Sequence, residues 1–480
     1  MKTTREKAQN EPAATLNAEA VQRFANQIRG DLIASKDESY DEARAVWNGL
    51  IDKRPALIAR CMGTGDVVDA VNFARENDLL VAVRSGGHNV AGNAVCDAGL
   101  VIDCSLMKGI HVNPGARTAH VQPGADWGDL DKETQLHGLV TPGGQVSITG
   151  VAGLTLGGGM GWLRRKWGLS CDNLRSVEIV TVDGQVRTAS EDKNEDLFWA
   201  VRGGGGNFGI VTSFEFHLHP LGPEIYGALT IYPLEEAASV LRNWRDFALE
   251  APDEVTCDAL IWGMPPLPEV PAEMHWAPVV IIAGMYAGPV EEGERHLQPV
   301  SEMGTPMADM SAPQPYVTMQ SDMDPLFADG QLYYWKSLFA AKMSDELIDQ
   351  VVALANEKPS KQCLFALRTL GGAMGEVPEE ATAYGNRDAM FNISIDNTWQ
   401  DPAHSDEMIG WTRKAWAGLR EQTGGGVYIN FAGLGEEEET LSKAAYQRNY
   451  ERLREVKGKY DPDNFFRMNQ NIKPMNGQTN

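Results

Sequence analysis

Apolar positions in the first part of the chain come in short blocks. Residues 56–61 form one such block and residues 79–83 another. Between them Val67, Val71 and Ala74 recur at helical spacing, with Thr64 placed to cap the helix. The pattern predicts strand, helix, strand, and it leaves "VRSGGHNVAG" (83–92) on a loop at the C-terminal end of a buried strand, a common place for ligands in α/β units. From about 100 to 220 short β-like runs dominate ("GLVIDCS", "ARTAHVQPG", "VEIVTVDGQVRTA", "GIVTSFEFHLHP"), with glycine between them, which predicts antiparallel sheet. "NEDLFWAVRG" interrupts them as a short helix. "HPLGPE" (219–224) has the proline and glycine texture of a boundary. Beyond it, strands ("YGALTIYPL", "PVVIIAGMYAG", "QCLFALRTLGG", "AMFNISIDNTW") alternate with helices ("LEEAASVLRNWRDFAL", "SDELIDQVVALANE") up to about residue 424. "GGGVYINFAG", a helix over 439–457 and "DPDNFFRMNQNI" close the chain. The fold class read from this order is α+β.

Length and composition agree with an ordinary globular enzyme of two domains: 480 residues, 43% hydrophobic and 22% charged. A formal charge of −24 sets this surface against phosphate backbones and anionic lipid, so neither nucleic acid nor membrane is an expected partner. The first thirty residues hold no continuous apolar segment, and no apolar run is long enough to span a bilayer, so a cytoplasmic location is expected. Six cysteines lie scattered without CxxC or zinc-like spacing, which predicts reduced, buried thiols and no metal.

The candidate chemistry lies in three glycine loops: Gly86-Gly87-His88, "PGGQVSITGVAGLTLGGGMGW" (142–162) and "RGGGGNFGIVTS" (202–213). Glycine lets backbone N–H groups approach a pyrophosphate closely, and successive N–H groups form an anion-binding concavity. The first loop has the wrong glycine spacing for a Rossmann dinucleotide site, and the third lacks the lysine of a Walker motif. GxSxG and HExxH are absent. Three such loops within about 130 residues suit one long extended ligand. Taken singly, each is equally well a hairpin turn, and a satisfied structural histidine is the alternative reading of His88.

Together these stretches resemble the vanillyl-alcohol-oxidase superfamily of flavoproteins, and within it the berberine-bridge-enzyme-like branch. "VRSGGHNVAG" is similar to the flavin-attachment loop of that family, and "GLTLGGGMGWLRRKWGLSCDN" to its flavin-binding glycine segment. "DLFWAVRGGGGNFGIVTSFEF", "YYWKS" (333–337) and "RMNQNI" (467–472) follow in the family's order. The resemblance implies a two-subdomain FAD-binding unit made of 40–218 and 425–480, with 219–424 as an α+β substrate domain whose antiparallel sheet covers the flavin. It implies FAD joined covalently to His88, held further by Arg84, Ser85, Gly86, Gly87 and Asn89. Pro142, Gly143, Gly150, Gly153, Thr155, Gly158 and Gly159 are implied from the second loop, and Gly206, Asn207, Gly209, Ile210 and Val211 from the third. Asn469 and Asn471 complete the set.

This chain departs from the pattern in one covalent detail. Many members carry a second flavin bond from a cysteine, and here Val146 stands at that position, so one link is expected, through His88 only. Cys104 and Cys171 are read as core thiols. Thr149 is implied at the flavin's reactive edge, where its side chain bears on oxygen access. The base is the open question: Ser394 stands where relatives place Glu or Gln, and serine is a poor base alone. Tyr428, with a pKa lowered by a nearby cation, is the alternative base, and Asn430 the group that holds substrate or flavin. The implied reaction is oxidation of a small organic substrate, alkaloid-like or a simple alcohol or amine, by hydride transfer to flavin N5 and reoxidation by molecular oxygen. Alternatives are a carbohydrate oxidase, a dehydrogenase using another acceptor, and a flavin-binding protein of low turnover.

Overall fold

A computed structural model of the chain describes residues 16–266, 270–435 and 438–475. The first strands build a four-stranded sheet in the order Asp31–Ala34, Leu57–Arg60, Leu100–Asp103, Val81–Arg84. The helix Thr64–Glu76 joins Leu57–Arg60 to Val81–Arg84 and buries Val67, Val71 and Ala74, the predicted face. Thr64 is not its cap: Gly63 takes that position, and the Thr64 hydroxyl donates to Glu178 instead (2.9 Å). Leu100–Asp103, expected in antiparallel sheet, pairs parallel with both of its neighbours. All four of its residues are buried, as a central parallel strand requires.

The expected antiparallel sheet begins one strand later, in the order Ile110–Asn113, Thr118–Val121, Ile210–His217, Leu174–Val180, Val186–Ser190. Ile210–His217 turns Phe214 and Phe216 into its core. Val427, Ile429, Tyr446, Leu453 and Ile472 pack into that same core, so the end of the chain returns to the first half. The helix expected over 439–457 is two helices, Glu438–Tyr446 and Tyr450–Tyr460, broken where Gln447 takes a φ of 46°. Lys457 fixes this return. Fully buried, it pairs with Asp461 (2.6 Å) and donates to the carbonyls of Asn207 (2.7 Å) and Phe466 (2.9 Å).

Residues 224–399 form an eight-stranded antiparallel sheet. Four of its strands, Val255–Gly263, Ala308–Asp309, Ala312–Pro315 and Leu332–Ala340, and the helix Ser405–Thr423 behind it go beyond the elements read from the sequence. One face carries Val280, Ile282, Ile261, Phe365, Leu367, Ile393 and Ile395 against the helices Ala237–Glu250, Asp345–Asn356 and Ser405–Thr423. The alternate residues, Asp258, Leu260, Trp335, Leu364, Arg368 and Asp396, face the other way, over a cavity. Among the described residues no helix is long and apolar enough to cross a membrane, and no cluster of three His, Cys, Asp or Glu side chains could hold a metal. All six cysteines are free and buried.

Candidate active site

The cavity, about 320 Å³, lies between the large sheet and the first half of the chain. All three glycine loops reach it. Ser85, Gly86, Gly87, His88 and Asn89 come from the first, Thr149, Gly150 and Gly153 from the second, and Gly206, Gly209, Ile210 and Val211 from the third. Tyr428, Asn430 and Asn469 line it as well. The geometry explains why glycine precedes the histidine. A Cβ on Gly86 would sit 2.7 Å from the Gly150 backbone, so the first two loops cross main chain against main chain. Gly87 has a φ of +72°, a conformation that disfavours a side chain. Gly153 and Gly206 border open space.

His88 stacks on Trp47, with ring centroids 5.1 Å apart and planes 20° apart. Burial pushes its pKa down to about 4, so the imidazole is neutral and a ring nitrogen keeps its lone pair. From Trp47 an arc of rings crosses the cavity wall to Tyr428. Trp47 meets Trp335 edge-on (5.4 Å), Trp335 meets Phe431 (5.6 Å), and Phe431 meets Tyr428 (4.9 Å). The neighbouring Asn48 clips the two halves together, donating to the carbonyls of Val90 (2.7 Å) and Tyr333 (2.9 Å).

Several residues expected at the cofactor sit behind the cavity wall. Arg84 is buried against Asp103 and the carbonyls of Ala43 and Ala45. Gly143 packs on Trp127, and neither it nor Pro142 reaches the cavity. Thr155 is buried behind it, and Gly158 lies against Tyr384. Gly159 donates its N–H to Tyr428. Asn207 holds the chain end, donating to the Gly204 carbonyl (2.9 Å) and accepting from Ile472 N–H (3.0 Å). Asn471 is buried outside the lining. Val146 lines the cavity, and its side chain has no sulfur with which to form a thioether. Cys104 also lines it, with burial holding its thiol protonated, whereas Cys171 lies in a separate apolar cluster.

The polar floor comes from the large sheet and was only half legible. Ser394 does not reach the cavity; it donates to Asp396 Oδ2 (3.0 Å) and accepts from Arg368 (2.8 Å). Asp396, two residues on along Phe391–Trp399 and so on the same face, does line it. Its Oδ1 has no hydrogen-bond partner among the described residues. Burial raises its pKa to about 6, against the pull of Arg368, 3.8 Å away, and of the Ser394 hydroxyl. Arg368 donates to Gln145 Oε1 (3.0 Å), and Gln145 donates to Asp258 (2.7 Å), which pairs with the buried Arg164. A hydrogen-bonded chain thus runs from the second glycine loop to Asp396.

Tyr428 lies just before a single turn, Ile429–Phe431, and not in a strand. Its oxygen accepts from the N–H groups of Gly159 (3.2 Å) and Met160 (3.2 Å) and from Asn430 Nδ2 (2.9 Å). The pKa-lowering cation expected from the sequence is replaced by these donors, and burial outweighs them, so the phenol pKa is raised. A protonated phenol oxygen has two lone pairs, so these donors saturate it as an acceptor.

These residues fit FAD. Loops free of side chains border the open space, and Asn469 lies in the lining with its Oδ1 unpartnered while its Nδ2 donates to the Gly206 carbonyl (3.2 Å). Fold and cavity define an FAD-binding oxidoreductase of the vanillyl-alcohol-oxidase type. Comparison with known proteins agrees. The chain matches the FAD binding domain family over residues 55–190 and the berberine and berberine-like family over residues 427–473. An FAD-linked oxidoreductase of Dictyostelium discoideum is 32% identical over 460 residues, spanning 95% of this chain and 97% of that protein. (R)-6-hydroxynicotine oxidase of Paenarthrobacter nicotinovorans is 31% identical over 470 residues, spanning 93% and 97%. The crystal structure of 6-hydroxy-D-nicotine oxidase from Arthrobacter nicotinovorans superposes with a TM-score of 0.82 at 29% identity, covering 93% of this chain and 98% of that one. A carbohydrate oxidase from Microdochium nivale shares the fold (TM-score 0.83, 23% identity, 95% and 100% covered). The chain belongs to the berberine-bridge-enzyme-like FAD-linked oxidoreductases.

Proposed function

We propose that this enzyme oxidises a small organic alcohol or amine, with FAD bonded through His88 alone and molecular oxygen as acceptor. The observation that carries the reading is the meeting, on one cavity, of a neutral histidine in a side-chain-free loop and a buried carboxylate with an unpartnered oxygen. When bound, FAD supplies the hydride acceptor at N5 and the means of passing electrons to oxygen with release of peroxide.

The chain's own residues divide the remaining work. Ser85, Gly86, Gly87 and Asn89 from the first loop, Gly150 and Gly153 from the second, Gly206, Gly209, Ile210 and Val211 from the third, and Asn469 would hold the cofactor, with His88 as its point of covalent attachment. Asp396 is the base. A carboxylate of pKa about 6 is ionised at neutral pH yet basic enough to take a proton from a substrate hydroxyl or ammonium group. Ser394 and Arg368 favour its charged form, so Ser394 acts as a positioning residue. Tyr428, protonated, donates a hydrogen bond into the site, and Asn430 fixes its ring oxygen. Thr149 lines the cavity, and its side chain would bear on how oxygen reaches the flavin.

A peroxide-release screen of the aerobic holoenzyme across aromatic, aliphatic and carbohydrate alcohols and amines tests the reading. Turnover with peroxide from at least one member is the expected result. Flavin reduction that yields no peroxide and recovers only with an added quinone would make the enzyme a dehydrogenase.

A further inference from the structure

The relatives named above include oxidases of a nicotine derivative and of carbohydrate, so kinship leaves the substrate class open. The cavity does not. We infer that it takes a planar aromatic substrate bearing a single hydroxyl or amine on a side-chain carbon that carries a hydrogen to lose as hydride, with the ring against the Trp335–Phe431 wall and the polar group at Asp396. The inference rests on the proposed oxidase site and names what fills it.

Three observations carry it. First, the wall beside Asp396 is aromatic. Trp335 is the cross-strand partner of Asp396 in the large sheet, so their side chains share one face, and Leu364 flanks Asp396 on the other side. Phe431 and Phe327 meet Trp335 edge-on at 5.6 and 5.8 Å, and both line the cavity. Edge-on and offset rings suit the faces and edges of another ring.

Second, the polar side chains on this side satisfy one another. Asp258 is engaged by Arg164 and Gln145, Gln145 uses both ends of its amide, and Arg368 bonds Gln145, Ser394 and Asn392. Beside one another on this floor, two buried polar atoms lack a partner among the described residues: the acceptor Asp396 Oδ1 and the indole N–H of Trp335. A disaccharide brings many hydroxyls, and each one buried without a partner loses its hydrogen bonds to water for nothing in return. A ring with one hydroxyl or amine can give its hydrogen to Asp396 Oδ1 and accept from Trp335 Nε1, which satisfies both atoms.

Third, the floor is balanced in charge. Arg164 and Arg368 face Asp258 and Asp396, two guanidinium groups to two carboxylates, so no second ionic group on the substrate is called for.

Calorimetric titration of the anaerobic holoenzyme tests this with three probes: phenol, cyclohexanol and cellobiose. Phenol has the ring and one hydroxyl, cyclohexanol the same size without planarity, and cellobiose many hydroxyls. Phenol should bind saturably and about three- to tenfold more tightly than cyclohexanol, the gain expected of aromatic contact. Cellobiose should show no saturable heat. Trp335→Leu and Phe431→Leu, each confirmed to retain flavin, should erase the preference for phenol over cyclohexanol. Saturable cellobiose binding at or below the phenol concentration range overturns the inference, as does phenol binding no better than cyclohexanol in the unaltered enzyme. Phenol preference without bleaching of the flavin by any aromatic alcohol or amine would leave this class standing and sink the oxidase reading. Peroxide release from cellobiose without phenol binding would do the reverse.

Discussion

Replacing Asp396 with asparagine separates a base from a structural carboxylate. The amide has the same shape, and its oxygen still accepts from Ser394, now 3.0 Å from the carboxylate. Arg368 loses its ionic neighbour at 3.8 Å but keeps its bonds to Gln145, Ser394 and Asn392, so the floor should hold. Because burial raises the Asp396 pKa to about 6, the folded state prefers this group neutral, and its ionisation costs stability as pH rises through that value. A neutral amide avoids that cost, so the variant should melt no lower than the parent at neutral pH. The rate is where the loss should fall. Removing a general base slows the step by about 10²–10⁴-fold, whereas one neutral hydrogen bond, about 0.5–1.5 kcal/mol, accounts for roughly tenfold at most. Stopped-flow reduction of the flavin under anaerobic conditions reads the step directly. The parent should lose rate as pH falls through about 6, where the carboxylate is protonated, and the variant should show no such limb. Arg368→Gln removes the cation that favours the charged form and should move the limb to higher pH, with Arg368→Lys moving it part of the way back. A fall of less than tenfold in Asp396→Asn, with the acid limb intact, would refute Asp396 as the base.

Tyr428→Phe should slow flavin reduction by about tenfold or less, while costing about 1–3 kcal/mol in chemical denaturation because three N–H donors lose their acceptor; a far larger rate loss at unchanged flavin content would return the base to Tyr428. Acid precipitation should leave the yellow colour with the unaltered polypeptide and release it from His88→Ala. Intact mass should equal the chain plus one FAD, and Cys104→Ala and Cys171→Ala should keep the flavin attached; a flavinylated cysteine peptide would show that a second link exists. Lys457→Met strands the buried Asp461 and should cost about 3–5 kcal/mol in an urea melt.

The glycine loops were legible because each encodes a local demand: a backbone crossing at Gly86 and a positive φ at Gly87 admit little else. The α+β class and most strands were legible for a similar reason, since short apolar runs between turn residues have few alternatives. Leu100–Asp103 reads as antiparallel sheet and pairs parallel, because an apolar run four residues long does not declare its partner's direction. Asp396 was overlooked beside Ser394 because polar residues alternating along Phe391–Trp399 look like a solvent face, whereas every residue of that strand is buried. The same alternation, read as a buried polar face, groups Asn392 and Ser394 with Asp396, which lines the cavity. Trp47 and Asn48 gave no signal, since a lone tryptophan in a polar stretch carries no period; their roles arise from contacts nearly three hundred residues away, with Phe327 and Tyr333.

Mixing the holoenzyme anaerobically with a substrate found by the peroxide screen, then admitting oxygen, is the most direct test of an oxidase. The flavin bands should bleach in the first phase and return promptly in the second, with peroxide formed in proportion to the flavin reoxidised. Bleaching that persists in oxygen, or no bleaching by any compound that binds, would contradict it.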